Sequence, residues 1–180
     1  IIRTRLTNLR SEDRALQNKA LTHILQVTDH PVDWAYEAWD DLVKDLRHKD
    51  NHVRAIAAQV LCNLAKSDSE NRMQKDFPAL LAVTKDERFV TARHTMQAIW
   101  KVGAAEKKQQ KMVMNGLAGR FAECITEKNC TLIRYDILQS LRNLYDVVKD
   151  EKIREKALEL IETEDDLKYR KKYAGVWKTK

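Results

Sequence analysis

The sequence predicts an all-α fold of about four stacked helix pairs with end caps. Three observations carry this expectation. Leu16, Val53 and Val90 recur at steps of 37 positions, and Ile133 follows after 43. The second and fourth repeats agree residue by residue: Val53-Arg54, Gln59, Leu61, Asn63 and Leu64 against Ile133-Arg134, Gln139, Leu141, Asn143 and Leu144. A period in this range marks helix pairs that cannot bury their apolar faces alone and so stack to share one core. Finally, with only 4 Gly and 2 Pro the chain has few breakers, and its many Ala, Leu, Lys, Glu and Gln favour helix. All of 1–180 reads as one repeat domain, with repeats over 11–148 and a C-terminal cap and basic aromatic tail over 149–180.

Residues 1–10 form a short basic lead-in. A first helix runs from about Ser11 to Val27, capped by Asp13 or Ser11, whose short side-chain oxygens accept a free N–H of the first turn. Leu16, Ala20, Ile24 and Val27 make its inward stripe, and Pro31 stops it. The next helix, about Asp33 to Leu46, sets Trp34, Ala35, Ala38, Trp39, Leu42, Val43 and Leu46 on one face at helical steps. Asp50 caps a helix through about Ala65, with Val53, Ala57, Ala58, Leu61 and Leu64 inward. Asp76-Phe77-Pro78 opens the following helix, since Pro is tolerated in a first turn. Asp86 then caps a helix from about Arg88 to Val102, ended by Gly103. A longer helix spans about Ala105 to Thr126, where Gly116 and Gly119 weaken it or mark a tight crossing. Thr131 to Val148 is the fourth inner helix. Glu151 to Glu162 and Leu167 to about Trp177 close the chain, separated by the acidic Glu164-Asp165-Asp166.

The second repeat reads Asp50-x-x-Val53-Arg54-x-x-Ala57-Ala58-x-x-Leu61-x-x-Leu64, and Pro78-Ala79-Leu80-Leu81 precedes Asp86. In these residues the chain resembles the HEAT-repeat family, the armadillo-like superhelices, including its bacterial HEAT-like members. The resemblance covers about 11–148 and implies a right-handed α-α superhelix, a HEAT-like solenoid. The third repeat departs from it with Thr91 where Arg54 and Arg134 stand, and the segment after Ile153 lacks a first helix and reads as a cap.

Residues 168–180 hold six of the 33 basic residues and no acid, which leaves 27 basic against 27 acidic residues in 1–167. A neutral body argues against a basic nucleic-acid groove along the whole chain. No apolar run is long enough to span a bilayer, so no membrane insertion is expected. Cys62, Cys124 and Cys130 make an odd count without framework or zinc spacing. Cys62 reads as a small core hydrophobe, and the usage favours a reducing, cytoplasmic setting.

Inner helices of such a stack line one face. Arg54, Gln59 and Asn63, with their equivalents Arg134, Gln139 and Asn143, lie off the apolar stripe and are expected to point outward. The third repeat places Met96 and Trp100 at the positions of Gln59 and Asn63, with Arg93, His94 and Gln97 nearby. Arg and amide groups beside a Trp suit a protein or peptide partner. A second reading stands beside this one: Arg54 and Arg134 bridge to a neighbouring repeat's carboxylate, and Trp100 folds into the core. Trp34 and Trp39 read as core, and Tyr36 as freer. In the tail, Tyr169, Tyr173 and Trp177 share one helical face. That face either closes the last repeat or, with Lys168, Arg170, Lys171, Lys172, Lys178 and Lys180, binds an anion.

The five histidines fall in separate contexts, and no nucleophile elbow or phosphate loop is present. The expected function is a non-enzymatic scaffold, without metal or cofactor, that presents a concave helical surface to a protein or peptide. The partner-binding residues are Arg54, Gln59, Asn63, Arg93, Gln97, Trp100, Arg134, Gln139 and Asn143, and the expected state is a monomer or weak oligomer. The alternative is nucleic-acid binding, with a resemblance to HEAT-like DNA alkylation-repair glycosylases, for which Arg93, Arg134 and Arg142 count.

Overall fold

Eleven α-helices and three short 3-10 turns make up the regular structure of residues 1–178, the part the computed structural model describes, and no strand occurs among them. Lys180, counted with the basic tail, lies outside the described residues. The chain divides into two compact units, 1–98 and 99–180.

The first unit holds α1 (Ile2–Asn8), α2 (Arg14–Thr28), α3 (Ala35–Asp45), α4 (Asn51–Leu64), α5 (Arg72–Ala82) and α6 (Phe89–Ala98). Helices α2, α4 and α6 pack in succession as one layer, and α3 and α5 lie against each other, with α3 also on α4. The caps follow the sequence. Asp13 accepts from the Ala15 and Leu16 N–H groups, and Asp50 from that of His52. Helix α4 buries ten of its residues, because helices cover it on several sides.

The register of the first and third repeats differs by one residue from the expected one. Val53 and Ile133 are buried, but Leu16 is 41% and Val90 66% exposed. The buried residues at their places are Gln17 and Thr91. One residue turns a helix by about 100°, so the inward face shifts with it. Both true anchors are polar, and both are satisfied internally. The Gln17 amide donates to Leu9 O at 2.9 Å and accepts from Arg14 at 3.0 Å. The Thr91 hydroxyl donates to Asn51 O at 3.2 Å. With this register Gln97, not Met96, is the equivalent of Gln59 and Gln139, and Lys101, not Trp100, that of Asn63. Met96 is fully buried in the core.

Other expectations are corrected as well. Pro78 lies inside α5, not in its first turn. The helix starts earlier because the buried Asp68 carboxylate accepts from the Arg72 and Met73 N–H groups, both at 2.8 Å. Tyr36 is not free: its hydroxyl donates to Asp68 at 2.5 Å and accepts from the Glu70 N–H at 2.6 Å. Trp39 is fully buried and donates to Asp76 at 2.8 Å, whereas Trp34 precedes α3 and is half-buried.

The second unit holds α7 (Trp100–Ala105), α8 (Lys107–Glu123), α9 (Cys130–Val148), α10 (Glu151–Glu162) and α11 (Leu167–Val176). Helix α9 is its centre, packed against α7, α8, α10 and α11. The expected helix from Arg88 to Val102 is divided into α6 and α7. Gly103 does not end it but lies within α7, where a Cβ would sit 3.2 Å from both methyl carbons of Leu144. Its absent side chain allows the α7–α9 contact. Gly119 meets open space and marks no crossing.

Cys124 and Cys130 are joined by a disulfide across the α8–α9 corner, a pairing their spacing did not suggest, which removes the cysteine argument for a reducing setting. Cys62 is buried, as expected of a small hydrophobe. The bridge spans six positions, and loop-closure entropy of so short a span corresponds to about 2 kcal/mol. Cys124→Ser with Cys130→Ser is therefore expected to lower the urea-unfolding free energy by about that amount, and no change would show that the corner is held by its other contacts alone.

Asp50 also accepts from Arg14 at 3.0 Å, tying α2 to α4. Burial pushes its carboxyl up, but bonds from the His52 N–H and Arg14 outweigh this and hold it at about 2, against an ordinary 3.8. The folded value is the lower one, so its stabilisation is present above 3.8 and is lost as pH falls toward 2. Asp50→Asn keeps a good cap residue and removes the charge. Its melting temperature is expected to fall less than that of the wild type over that interval.

Candidate partner-binding surface

Three of the expected outward residues are internal ties. The Arg54 side chain is 12% exposed. It forms a two-pronged pair with Asp86, at 2.6 and 3.0 Å, and donates to His48 O at 2.8 Å. Asp86 in turn caps the turn before α6 through the Arg88 N–H at 2.9 Å. Burial alone would raise the Asp86 carboxyl. The Arg54 bonds, the Arg88 N–H and the nearby cationic charge win, and it lies below the usual carboxylate range. Asn63 is buried and donates to Leu25 O at 3.2 Å and Thr28 Oγ1 at 3.0 Å, joining α4 to the end of α2.

Arg134 is the counterpart in the second unit. It is buried, donates to Phe121 O and to Glu164, each at 3.0 Å, and stacks on the Phe121 ring at 4.5 Å. The expectation that Arg54, Asn63 and Arg134 face outward is thus corrected. A carboxylate or carbonyl of the neighbouring helix pair already occupies each, and burial forbids leaving such groups unpaired.

The other predicted residues stay at the surface. In the first unit Gln97 is exposed, Gln59 is half-buried with its amide on Ala55 O at 3.1 Å, and Arg93 lies 5.9 Å from the Phe89 ring. In the second unit Trp100 is half-buried beside the Lys101 ammonium. Gln139 and Asn143, one turn apart on α9, share a hydrogen bond of 3.0 Å.

The tail divides by face. Tyr173 and Trp177 are buried. The Tyr173 hydroxyl donates to Thr131 O at 2.9 Å, and its ring meets Phe121 edge-on at 6.3 Å. Burial, then the negative charge of Glu164, raise this phenol to about 12. Arg170 is not offered to an anion. It donates to Glu164 O at 2.7 and 2.9 Å and to Glu162 O at 3.3 Å, satisfying carbonyls at the end of α10. Lys168, Lys171 and Lys172 remain exposed.

These placements converge on a groove of about 550 Å³ in the second unit. Helix α9 lines it with Tyr135, Gln139, Arg142 and Asp146, and the α11 segment with Lys172, Gly175, Val176 and Lys178. Arg142 donates to Asp146 at 2.9 Å and lies over the Trp177 ring at 5.5 Å. Of the residues singled out in the sequence, Gln139, Arg142, Lys172 and Lys178 belong to it. The steps of four, three and four from Tyr135 to Asp146 are the signal in the sequence for the α9 side. Nothing local in the sequence places α11 opposite. Among the described residues no group of three His, Cys, Asp or Glu side chains is arranged to hold a metal ion, and no helix is long and apolar enough to cross a membrane.

No protein-family model matches the sequence, and no curated protein matches it. A crystal structure of an engineered protein is similar in fold, with a TM-score of 0.57 at 15% identity over 97% of this chain and 76% of that one. At that identity the likeness concerns the fold alone.

Arg54→Ala leaves Asp86 buried without its partner and is expected to cost about 3 kcal/mol. Gln97→Ala, on an exposed site, is expected to stay within about 0.5 kcal/mol. Urea unfolding of both variants measures this, and equal small losses would show that the Arg54–Asp86 tie does not stabilise the unit.

Proposed function

We propose that this chain is a non-enzymatic binding scaffold whose helix pairs stack as a right-handed superhelix and offer a concave face to a protein or peptide partner. One observation carries the reading. Gln59, Gln97 and Gln139 hold the same position in α4, α6 and α9 once the register is taken from burial, and each keeps surface exposure. Arg54, Asn63 and Arg134 near them are taken up internally, so the glutamines are the repeated side chains left at the surface, with Gln97 exposed and Gln59 and Gln139 each holding one internal bond. A primary amide carries a donor and an acceptor, which suits the main chain of an extended peptide. On α4 and α6, which pack against each other in the first unit, the repeated amides would bind such a chain at successive peptide units. Trp100 and Arg93 add an apolar and a charged contact of the kind that anchors protein partners.

The exposed Lys168, Lys171 and Lys172 favour the second reading, nucleic-acid binding. The two readings separate in one experiment. The intact protein is panned against displayed random peptides and titrated in parallel with duplex and single-stranded DNA at several salt concentrations. The scaffold reading expects an enriched peptide family whose affinity falls in the variant combining Gln59→Ala, Gln97→Ala and Gln139→Ala. No enriched family, together with DNA binding that weakens steeply with salt, would replace it with the nucleic-acid reading.

A further inference from the structure

The geometry points to the α9–α11 groove as a docking site for an acidic, extended peptide segment, an inference that rests on the scaffold reading and narrows it to one partner chemistry. Three cations border the groove, Arg142, Lys172 and Lys178, against one carboxylate, Asp146. Asp146 engages only the Nε of Arg142. The terminal nitrogens of that guanidinium make no hydrogen bond among the described residues, and stacking over the Trp177 and Tyr145 rings, at 5.5 and 5.8 Å, holds it in one orientation. Lys172 lies 5.5 Å from the Tyr135 ring. Neither it nor Lys178 forms an ion pair among the described residues. The groove thus carries net positive charge, and a guanidinium set over two rings suits two-pronged capture of a carboxylate.

Its other surfaces suit a polypeptide. The hydrogen bond from the Gln139 amide to Asn143 Oδ1 leaves an acceptor on Gln139 and a donor on Asn143, a match for a peptide unit. Val176 and the Tyr135 ring give apolar surface between the charges. Gly175 leaves room: a Cβ built there meets nothing within 4 Å. Size decides between occupants. From Tyr135 to Asp146 the helix axis runs about 16 Å, the reach of about five extended residues. An extended chain with an acid at every second position brings two or three carboxylates over that length, close to the two positive charges that the three cations leave beside Asp146. A duplex carries a charge per about 1.7 Å of axis, so even half its phosphates over the same length outnumber the cations.

The test uses the full chain and a fluorescein-labelled peptide alternating Glu with Leu, followed by anisotropy. Gly175→Glu fills the open space and reverses the local charge. Lys172→Glu reverses an exposed charge that supports no fold contact beyond a ring. Each is expected to weaken binding at least about tenfold without lowering the melting temperature, while Lys111→Ala, which removes an exposed cation of α8 outside the groove, binds as the wild type does. Peptide binding unchanged in both groove variants overturns the inference. So does a wild-type protein that ignores this peptide yet binds others selected by panning, in which case the scaffold reading survives. A wild-type protein that binds only DNA sinks both.

Discussion

The burial of the inner helices governs what every polar group on them can do. Helix α4 in the first unit and α9 in the second are covered on several sides, so each buries polar as well as apolar positions. A polar group in such a place costs free energy unless it finds a partner within the fold. Arg54, Asn63 and Arg134 find theirs on an adjacent helix or the turn beside it, before or after them in the chain. The positions that look like a recognition ladder are therefore the ones that join one repeat to the next.

The same constraint explains where the surface chemistry is left. Once the arginines and Asn63 are engaged, the repeated residues that still meet solvent are the glutamines, one step further around each helix. An amide tolerates that half-buried place, because its own helix or a neighbouring amide can satisfy part of it. The repeated residues left at the surface are thus amides rather than charges, and the exposed lysines of α11 lie at the end of the second unit.

Helix α11 combines two tasks there. Its aromatic side closes the apolar end of the second unit through Tyr173 and Trp177, and Arg170 satisfies the end of α10. An exposed apolar end of a helical unit needs such a cover. The opposite side, freed from packing, carries lysines into water and forms one wall of the groove. Of the alternatives posed for the tail, closure of the unit is the part its aromatic face performs, and Lys168, Lys171 and Lys172 stay exposed.

Much of this was legible in the residues alone. Helix content, the caps at Asp13 and Asp50, the span of α10 and the core role of Trp39 follow from short-range rules: spacing of apolar residues, a side-chain oxygen before a first turn, and few breakers. The equivalence of the second and fourth repeats was equally plain, since their anchors are apolar. The registers of the first and third were not, because Gln17 and Thr91 are buried polar residues and a search for apolar anchors slides to Leu16 and Val90 beside them. Whether a polar side chain is a ligand contact or an internal tie depends on which carbonyl or carboxylate another helix brings to it. That is set by contacts 30 or more residues apart, such as Arg54 with Asp86 and Arg134 with Glu164, as are the seat of α11 and the wall it gives the groove. Periodicity determined the helices and the inward faces of α4 and α9, while only the packed structure decided the inward faces of α2 and α6 and which polar groups were left over.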